Sequence, residues 1–419
     1  MFFLYNVVVI FAGLLLKVVA LISPKIRLFI DGRRDVFDRL QQSIKPGDKT
    51  FWFHAASLGE YEQGLPVMER MKKEFPNHKI VLTFFSPSGY EVRKNNNIAD
   101  VTVYLPLDTK SNAKKFVDLV RPEMSFFIKY EFWPNYLNEL KKQHSKVYLI
   151  SGIFRKDQLF FKWYGGFYRK SLRMIDYFFV QNHASKELLA TLNISNVTIS
   201  GDTRFDRVAA ILEKDNSLDF IEDFKNDTMT VVVGSSWPKD EAMLVDYINA
   251  SDGVKFIIAP HNIKVDQIQQ LKYSITKSAV LFSEKEGKNL ADFDVFIIDT
   301  IGILTKIYSY SDIAYVGGGF GNPGVHNVLE PATFGVPIVI GPNYSHFAEA
   351  TALVCNGGAI SVTNNVELKE TLDMLISNAD IRAEKGHICS TFVQMNKNAT
   401  DIIVKHLTAA ASPATRSKT

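Results

Sequence analysis

The chain has 419 residues, too many for one ordinary hydrophobic core, so its length predicts two to three domains, of which we expect two. Its 48 basic and 45 acidic residues leave a formal net charge of +3, which does not indicate a nucleic-acid partner. Its two cysteines, Cys355 and Cys389, form neither a metal-binding spacing nor a disulfide framework, which is typical of a reducing compartment.

The chain begins with a candidate membrane anchor, MFFLYNVVVIFAGLLLKVVALI. A run of this length is near the roughly 20 residues that cross a bilayer as a helix. Lys17 interrupts the run near its end and could reach the headgroups. The basic residues follow the run, which places the body of the protein in the cytoplasm: Lys25, Arg27, Arg33 and Arg34. We therefore predict an anchor and basic juxtamembrane segment over residues 1–34, with a partly inserted helix as the alternative.

Beyond the anchor, short apolar runs alternate with helical patterns, which predicts parallel sheets covered by helices on both faces. The first series of predicted strands is 51–53, 80–84, 101–105, 124–128, 147–150, 177–180 and 197–200. The second series is 230–233, 255–258, 280–282, 295–298, 313–316, 337–340 and 359–361. We expect two doubly wound, Rossmann-like α/β domains that face a cleft, with ligands bound beyond the carboxyl ends of the strands. The predicted parts are a first domain (35–207), a polar linker (208–228), a second domain (229–408) and a disordered tail (409–419).

The first domain offers a candidate general base directly after its first strand, in the sequence HAASLGE. A carboxylate on a glycine-containing turn between a strand and a helix suits proton abstraction, which makes Glu60 the candidate. An acid at this position equally suits helix capping, so both interpretations stay open. Glu62 is the second choice because it lies further into the helix.

An aromatic and basic segment, DQLFFKWYGGFYRKSLR at residues 157–173, follows in the same domain. Interleaved rings and cations are typical of a membrane interface or an anionic lipid headgroup site. The alternative is an amphipathic core helix with a solvated basic face.

The second domain begins with two polar turns after predicted strands. Ser235 and Ser236 could bind a phosphate, or a serine could simply cap a helix. Pro260 and His261 end the next strand, where a histidine could contact a phosphate or a base edge but is more often structural. No metal-binding cluster accompanies them, so we expect neither a metal ion nor a cofactor.

A glycine-rich turn and a candidate helix follow in GGGFGNPGVHNVLEP. We expect bare N–H groups at Gly317, Gly318 and Gly319 to approach a phosphate. Asn327 and Glu330 would share one helix face, where Glu330 could hold ribose hydroxyls. The combination predicts a nucleotide-sugar site, whereas the alternative is a tight turn followed by an ordinary first-turn acid.

In this order, the motifs give the chain a resemblance to the bacterial 3-deoxy-D-manno-octulosonic acid (Kdo) transferases of lipopolysaccharide core biosynthesis. They are the apolar N-terminus, FHAASLGE, EFWPN (131–135), GDTRFD (201–206) and HNVLEP (326–331). The resemblance covers nearly the whole chain and implies a GT-B type glycosyltransferase that uses CMP-Kdo. It also implies that Glu60 is the catalytic base and that HNVLEP lies in the CMP-binding region.

On this basis we expect transfer of Kdo to the lipid A precursor (lipid IVA) at the cytoplasmic face of the bacterial inner membrane, against its anionic surface. The expected donor-binding residues are Ser235, Ser236, Pro260, His261, Gly317, Gly318, Gly319, His326, Asn327 and Glu330. The expected acceptor-binding residues are His54, Ser57, Gly59, Glu131, Trp133 and Arg155. The alternatives are a GT-B transferase with a UDP-sugar donor and a membrane-tethered, two-lobed solute-binding protein.

Four positions depart from the commonest family pattern. Lys129 and Tyr130 stand where the family often has Glu and Thr before the second acid. His261 stands where an arginine is frequent, so that His261 or Lys239 would take over part of its phosphate contact. Trp237 in GSSW replaces a more usual histidine.

Overall fold

The computed structural model describes residues 2–411 and divides the chain into two compact units. Unit 1 contains the chain up to Arg207 and the segment from Lys397 onward, and unit 2 is Val208–Asn396.

Unit 1 contains a seven-stranded, all-parallel sheet with the order β3-β2-β1-β4-β5-β6-β7. Its strands are β1 (Lys49–Ala55), β2 (His78–Phe84), β3 (Val101–Tyr104), β4 (Pro122–Ile128), β5 (Lys146–Gly152), β6 (Tyr177–Val180) and β7 (Val197–Ile199). Its helices up to the unit boundary are α1 (Phe2–Val19), α2 (Pro24–Asp31), α3 (Val36–Ser43), α4 (Leu58–Glu74), α5 (Pro87–Arg93), α6 (Lys110–Val120), α7 (Pro134–Lys142), α8 (Gly166–Leu172), α9 (His183–Ala190) and α10 (Arg204–Ala209).

Unit 2 repeats this plan with a second seven-stranded parallel sheet, in the order β10-β11-β9-β8-β12-β13-β14. Its strands are β8 (Met229–Ser236), β9 (Val254–Pro260), β10 (Ala279–Leu281), β11 (Val295–Ile297), β12 (Ile313–Val316), β13 (Ile338–Ile340) and β14 (Ala359–Ser361). Its helices are α11 (Asp219–Lys225), α12 (Pro238–Ala250), α13 (Val265–Ser274), α14 (Leu304–Ile307), α15 (Leu329–Thr333), α16 (Ala348–Cys355), α17 (Asn365–Ser377) and α18 (Ala379–Asn396).

All fourteen strands predicted from the sequence are confirmed, and their ends shift by only a few residues. The central strands are buried on both faces of their sheets, which is why each reads as a continuous apolar run and not as an alternating one. The structure therefore confirms two doubly wound α/β units.

The last helix, α19 (Ala399–Ala411), belongs to unit 1 and not to the second domain as we predicted. Ile403, Val404 and Leu407 are buried in the core of unit 1. Asp206, the last residue of GDTRFD, accepts hydrogen bonds from the backbone N–H and the hydroxyl of Thr400 at the start of this helix, at 2.8 and 2.9 Å. The predicted disordered tail is helical as far as its described part extends, and residues 412–419 lie outside the described residues.

The predicted linker 208–228 is part of unit 2. It contains α11, whose Ile221 and Phe224 are fully buried in the core of that unit. The segment has no strand, as expected, but its apolar residues pack as a helix against the sheet.

Helix α1 is 18 residues long and apolar enough to cross a bilayer. Most of its large side chains are exposed, but one face packs on unit 1. The Tyr5 hydroxyl donates to Asp108 Oδ2 at 2.7 Å, and Asn135 Nδ2 donates to Asn6 Oδ1 at 3.0 Å. Phe2 and Tyr5 also contact the ring of Phe167 in α8, with centroid distances of 5.1 and 5.4 Å.

Candidate functional site

The candidate residues of each unit lie where its strand order reverses direction. In unit 1 this switch point lies between β1 and β4, and in unit 2 it lies between β8 and β12. Ligands of doubly wound sheets bind beyond the carboxyl ends of the strands at this place. Glu60 and Lys129 follow β1 and β4, whereas Trp237 and Gly317 follow β8 and β12.

Glu60 lies in the first turn of α4 and is buried. Its Oε2 accepts hydrogen bonds from the backbone N–H of Ser57, at 3.1 Å, and from the Ser57 hydroxyl. Its Oε1 lies 3.6 Å from Lys129 Nζ and accepts no hydrogen bond from any of the residues 2–411. The capping interpretation is therefore correct for one carboxylate oxygen, and it leaves the second oxygen beside Lys129 without a hydrogen-bond donor among the described residues.

Glu62, the second choice for the base, makes two ion pairs. Its Oε1 lies 3.0 Å from Arg93 Nη2, and its Oε2 lies 3.1 Å from Arg207 Nε. Both oxygens face guanidinium groups, so Glu62 connects α4 to α5 and α10 and is poorly placed to accept a proton from a substrate.

The side chain of His54, which we expected on the acceptor side, is completely buried. Its Nε2 accepts a hydrogen bond from Trp133 Nε1 at 3.0 Å, since an indole N–H can only donate. Its Nδ1 therefore carries the proton and donates to Thr83 Oγ1 at 2.9 Å. Glu131 Oε2 approaches Nε2 to 3.8 Å without forming an ion pair, because that nitrogen carries no proton. His54 thus holds Trp133 in place.

The other expected acceptor residues lie at the carboxyl end of the unit 1 sheet. Ser57 caps α4, and Gly59 is exposed in its first turn. Glu131 and Trp133 are partly exposed in the segment after β4, and Arg155 is exposed in the segment after β5. The structure leaves their role in acceptor binding a prediction.

We predicted that the glycine-rich turn of unit 2 presents three bare N–H groups. In the structure, two of these groups donate hydrogen bonds within the protein. The N–H of Gly317 donates to Gly234 O at 2.9 Å, and the N–H of Gly318 donates to Asp240 Oδ2 at 2.8 Å. Gly318 has a φ of +93°, and a Cβ there would lie 2.3 Å from a backbone oxygen. These glycines therefore permit close backbone packing.

Asp240, which the sequence analysis did not select, is completely buried beneath this turn. Besides Gly318, it accepts hydrogen bonds from the Trp237 N–H and the Tyr315 hydroxyl, each at 2.9 Å. Its position three residues after Trp237, in WPKD, is a helix N-terminal capping signal that could have indicated it. Asp240 thus joins α12, β12 and the glycine-rich turn.

His326 and Asn327 precede the short helix α15, so our prediction that Asn327 and Glu330 share a helix face is wrong. The two side chains nevertheless meet, since Asn327 Nδ2 donates to Glu330 Oε1 at 2.8 Å. Thr305 Oγ1 donates to Glu330 Oε2 at 2.8 Å. Both carboxylate oxygens of Glu330 are thereby oriented, and Asn327 is exposed.

Three rings are stacked at the switch point of unit 2. Trp237 Nε1 donates to His326 Nε2 at 2.7 Å, and the two rings are nearly coplanar, with an angle of 9° between them. His261 lies over this pair, with its ring centroid 4.8 Å from Trp237 and 4.3 Å from His326. Burial and the neighbouring His261 lower the pKa of His326 to about 4. His326 is therefore neutral near pH 7, with its proton on Nδ1.

The remaining expected donor residues lie beside this stack. Ser235 has a φ of +54°, and Ser236 Oγ donates to Glu241 Oε1 at 2.8 Å, so the Ser236 hydroxyl already has a protein partner. Burial raises the pKa of Glu241 above its usual range. Pro260 ends β9, and the His261 N–H donates to Ser236 O at 2.8 Å. Lys239 is exposed in the first turn of α12.

Metal binding has no candidate cluster in the described part of the chain. No group of three or more His, Cys, Asp or Glu residues within 2–411 is arranged to hold an ion. Metal independence stays a prediction.

Comparisons with known proteins agree with this geometry. A family model described as 3-deoxy-D-manno-octulosonic-acid transferase (kdotransferase) matches residues 33–207. The 3-deoxy-D-manno-octulosonic acid transferase of Chlamydophila psittaci is 27% identical over 360 residues, which cover 84% of this chain and 82% of the relative. That of Rickettsia bellii is 25% identical and covers 95% of this chain and 98% of the relative.

Among solved structures, the UDP-GlcNAc 2-epimerase from Neisseria meningitidis bound to UDP-GlcNAc has a TM-score of 0.59. It is 16% identical to this chain, and the match covers 86% of this chain and 100% of the epimerase. This likeness concerns the fold alone, and it agrees with the predicted GT-B fold class. The family model over residues 33–207 and the similarity along most of the chain confirm the resemblance to the 3-deoxy-D-manno-octulosonic acid transferases and show that this protein is a glycosyltransferase.

Proposed function

We propose that this protein is an inverting glycosyltransferase that moves Kdo from CMP-Kdo to a hydroxyl of the lipid A precursor lipid IVA. Similarity to the Kdo transferases supports the transferred sugar and its role in lipopolysaccharide biosynthesis. The observation that carries the mechanism is the Glu60 carboxylate at the switch point of unit 1. One of its oxygens is fixed by Ser57, and the other accepts no hydrogen bond from the described residues.

In the proposed reaction, Glu60 Oε1 accepts the proton of the acceptor hydroxyl. The acceptor oxygen then forms a bond to the anomeric carbon of Kdo, and the bond from that carbon to the CMP phosphate oxygen breaks. CMP leaves with the electron pair, so the configuration inverts and no covalent enzyme intermediate forms. The fixed position of Glu60 contributes because a base acts only within hydrogen-bond distance of the proton that it removes.

For the donor, we propose that CMP-Kdo binds at the switch point of unit 2. The Nδ1–H of neutral His326 would serve as a hydrogen-bond donor and not as a cation. Glu330, oriented by Asn327 and Thr305, would accept hydrogen bonds from the ribose hydroxyls. The expected backbone contacts of Gly317 and Gly318 are not retained, because their N–H groups are already used.

We also propose that α1 anchors the protein in the inner membrane, with both units on the cytoplasmic side. The exposed apolar side chains of α1 support this location. The aromatic and basic segment 157–173 also supports this location. It forms a short 3₁₀ helix (Leu159–Phe161) and α8 instead of one amphipathic helix. Between them lies Trp163, which is 90% exposed, and Phe167 of α8 contacts α1. A C-terminal reporter that is active only in the periplasm would contradict this orientation.

The test is transfer from CMP-Kdo to purified lipid IVA in detergent, with a chelator present, followed by product mass. We expect a mass increase of one or more Kdo units, and UDP-sugars should yield no product. CMP binding without a product would contradict the acceptor, and activity that returns only with a divalent cation would contradict metal independence.

Substitution of the base provides the second test. Glu60→Gln keeps the size of the side chain but removes its basicity, so transfer should fall by at least about 100-fold while CMP binding stays unchanged. Glu69→Gln is the matched control, because Glu69 is exposed on the same helix. Equal activity of the Glu60→Gln enzyme would contradict the assignment of the base.

A further inference from the structure

Lys129 is the cation nearest to the proposed base. It follows β4 directly, and its Nζ lies 3.6 Å from Glu60 Oε1. The Lys129 side chain is 29% exposed, which leaves its ammonium group accessible to a substrate.

The backbone of Lys129 is also unusual. Its φ is +72°, in the left-handed region that non-glycine residues seldom occupy. The Lys129 N–H donates to Ile150 O at 2.8 Å, which ties this conformation to the neighbouring strand β5. A residue held in this region at the carboxyl end of a central strand is a candidate for function, since glycine would adopt the conformation more easily.

The distances allow one substrate oxygen to contact both groups. Lys129 Nζ and Glu60 Oε1 are 3.6 Å apart, so a single oxygen can lie within about 2.8 Å of each. Oε2 is held by Ser57, which fixes the direction in which Oε1 points. An oxygen at this position would donate its proton to Oε1 and accept a hydrogen bond from the ammonium group.

We propose that Lys129 is a further catalytic residue of this enzyme, which binds the reacting acceptor hydroxyl together with Glu60. As the proton moves from the acceptor oxygen to Glu60 Oε1, negative charge develops on that oxygen, and the Lys129 ammonium stabilises it. The oxygen then forms its bond to the anomeric carbon while the bond to CMP breaks. This role rests on the proposed function, because it requires a hydroxyl acceptor.

The test compares Lys129→Met, Lys129→Gly and Lys129→Arg with the wild-type enzyme in the transfer assay. Loss of one preorganised donor to a developing oxyanion lowers kcat by about 100-fold or more, so we expect that loss for the Met and Gly variants. Glycine accepts the positive φ without strain, so a loss in Lys129→Gly cannot be attributed to the backbone. Lys129→Arg should recover much of kcat, and the Michaelis constant for CMP-Kdo should not change in any variant.

Lys114→Met is the matched control, because it removes a lysine from a surface ion pair with Asp118 in the same unit. It should behave as the wild type does. If the wild type transfers Kdo and the folded Lys129→Met and Lys129→Gly enzymes match its kcat, the role of Lys129 is refuted while the proposed function stands. If the wild type transfers no Kdo, the proposed function itself fails.

Discussion

Replacing Asp240 with asparagine should loosen the glycine-rich turn of unit 2. The buried carboxylate accepts three hydrogen bonds, from the Gly318 N–H, the Trp237 N–H and the Tyr315 hydroxyl, at 2.8, 2.9 and 2.9 Å. Asparagine offers one acceptor oxygen and places an NH₂ group where the second oxygen was. At least one buried donor then loses its acceptor, and the other bonds lose the assistance of the charge.

An unsatisfied buried polar group costs about 1–3 kcal/mol, and the loss of charge assistance adds to this. Asparagine also avoids the desolvation cost of a buried carboxylate, which offsets part of the loss. We therefore expect the free energy of local opening of the turn to fall by about 2–4 kcal/mol. Because about 1.4 kcal/mol corresponds to a factor of ten, amide exchange at Gly318 should accelerate by about 30-fold to about 1000-fold.

Hydrogen exchange measured by mass spectrometry, on peptides that contain Gly318, reports this opening without requiring the whole chain to unfold in one step. Asp246→Asn is the matched control, since Asp246 is exposed on the same helix α12. Tyr315→Phe removes only one of the three donors and should produce a smaller acceleration. Unchanged protection of Gly318 in a folded Asp240→Asn protein would refute the argument that this carboxylate holds the turn.

Three further predictions concern other contacts. The folded pKa of His326, about 4, lies below its ordinary value of 6.5, so the unfolded chain takes up the proton first. Unit 2 should therefore lose stability as the pH falls from about 6.5 to about 4, and His326→Gln should flatten this dependence in denaturant titrations. Gly318→Ala should destabilise unit 2 more than Gly302→Ala. Both glycines have a positive φ, but only at position 318 would the added Cβ also clash with a backbone oxygen. Thermal unfolding of the two variants measures the difference. Tyr5→Phe removes the hydrogen bond to Asp108, worth about 1 kcal/mol, and should accelerate amide exchange in α1 in detergent, whereas equal exchange would show that this bond does not hold the helix.

The sheets were predictable because a strand of a doubly wound sheet is buried on both faces and must be apolar throughout. Val231, Val232 and Val233 in β8 illustrate this, since all three are completely buried. The membership of α19 in unit 1 was not predictable in the same way. The apolar positions of α19 predict that the helix packs on one of the two units, but they do not identify which one. In the structure, the start of α19 donates a hydrogen bond from Thr400 to Asp206 of unit 1, which is 194 residues away in the sequence.

The glycine-rich turn shows a second limit of the sequence. Three consecutive glycines indicate that the backbone must approach something closely, and both a phosphate and another backbone segment satisfy that condition. In the structure the N–H of Gly317 donates to the backbone oxygen of Gly234, 83 residues earlier, and the N–H of Gly318 donates to the Asp240 carboxylate, 78 residues earlier. His54 has the same ambiguity, because a histidine at a strand end can face a ligand or, as here, hold a tryptophan from inside the core.

Glu60 shows that a structural role and a catalytic role need not compete for one side chain. A carboxylate has two oxygens, and capping α4 uses only Oε2. The capping bonds fix the χ angles of the side chain, so Oε1 is held at one position without any further residue dedicated to orienting it. A base must lie within hydrogen-bond distance of the proton that it takes, and a preorganised base avoids the entropy cost of finding that geometry. The SLGE sequence is therefore informative because it is a capping box: the same spacing that stabilises the helix also orients Oε1, which lies 3.6 Å from Lys129 Nζ.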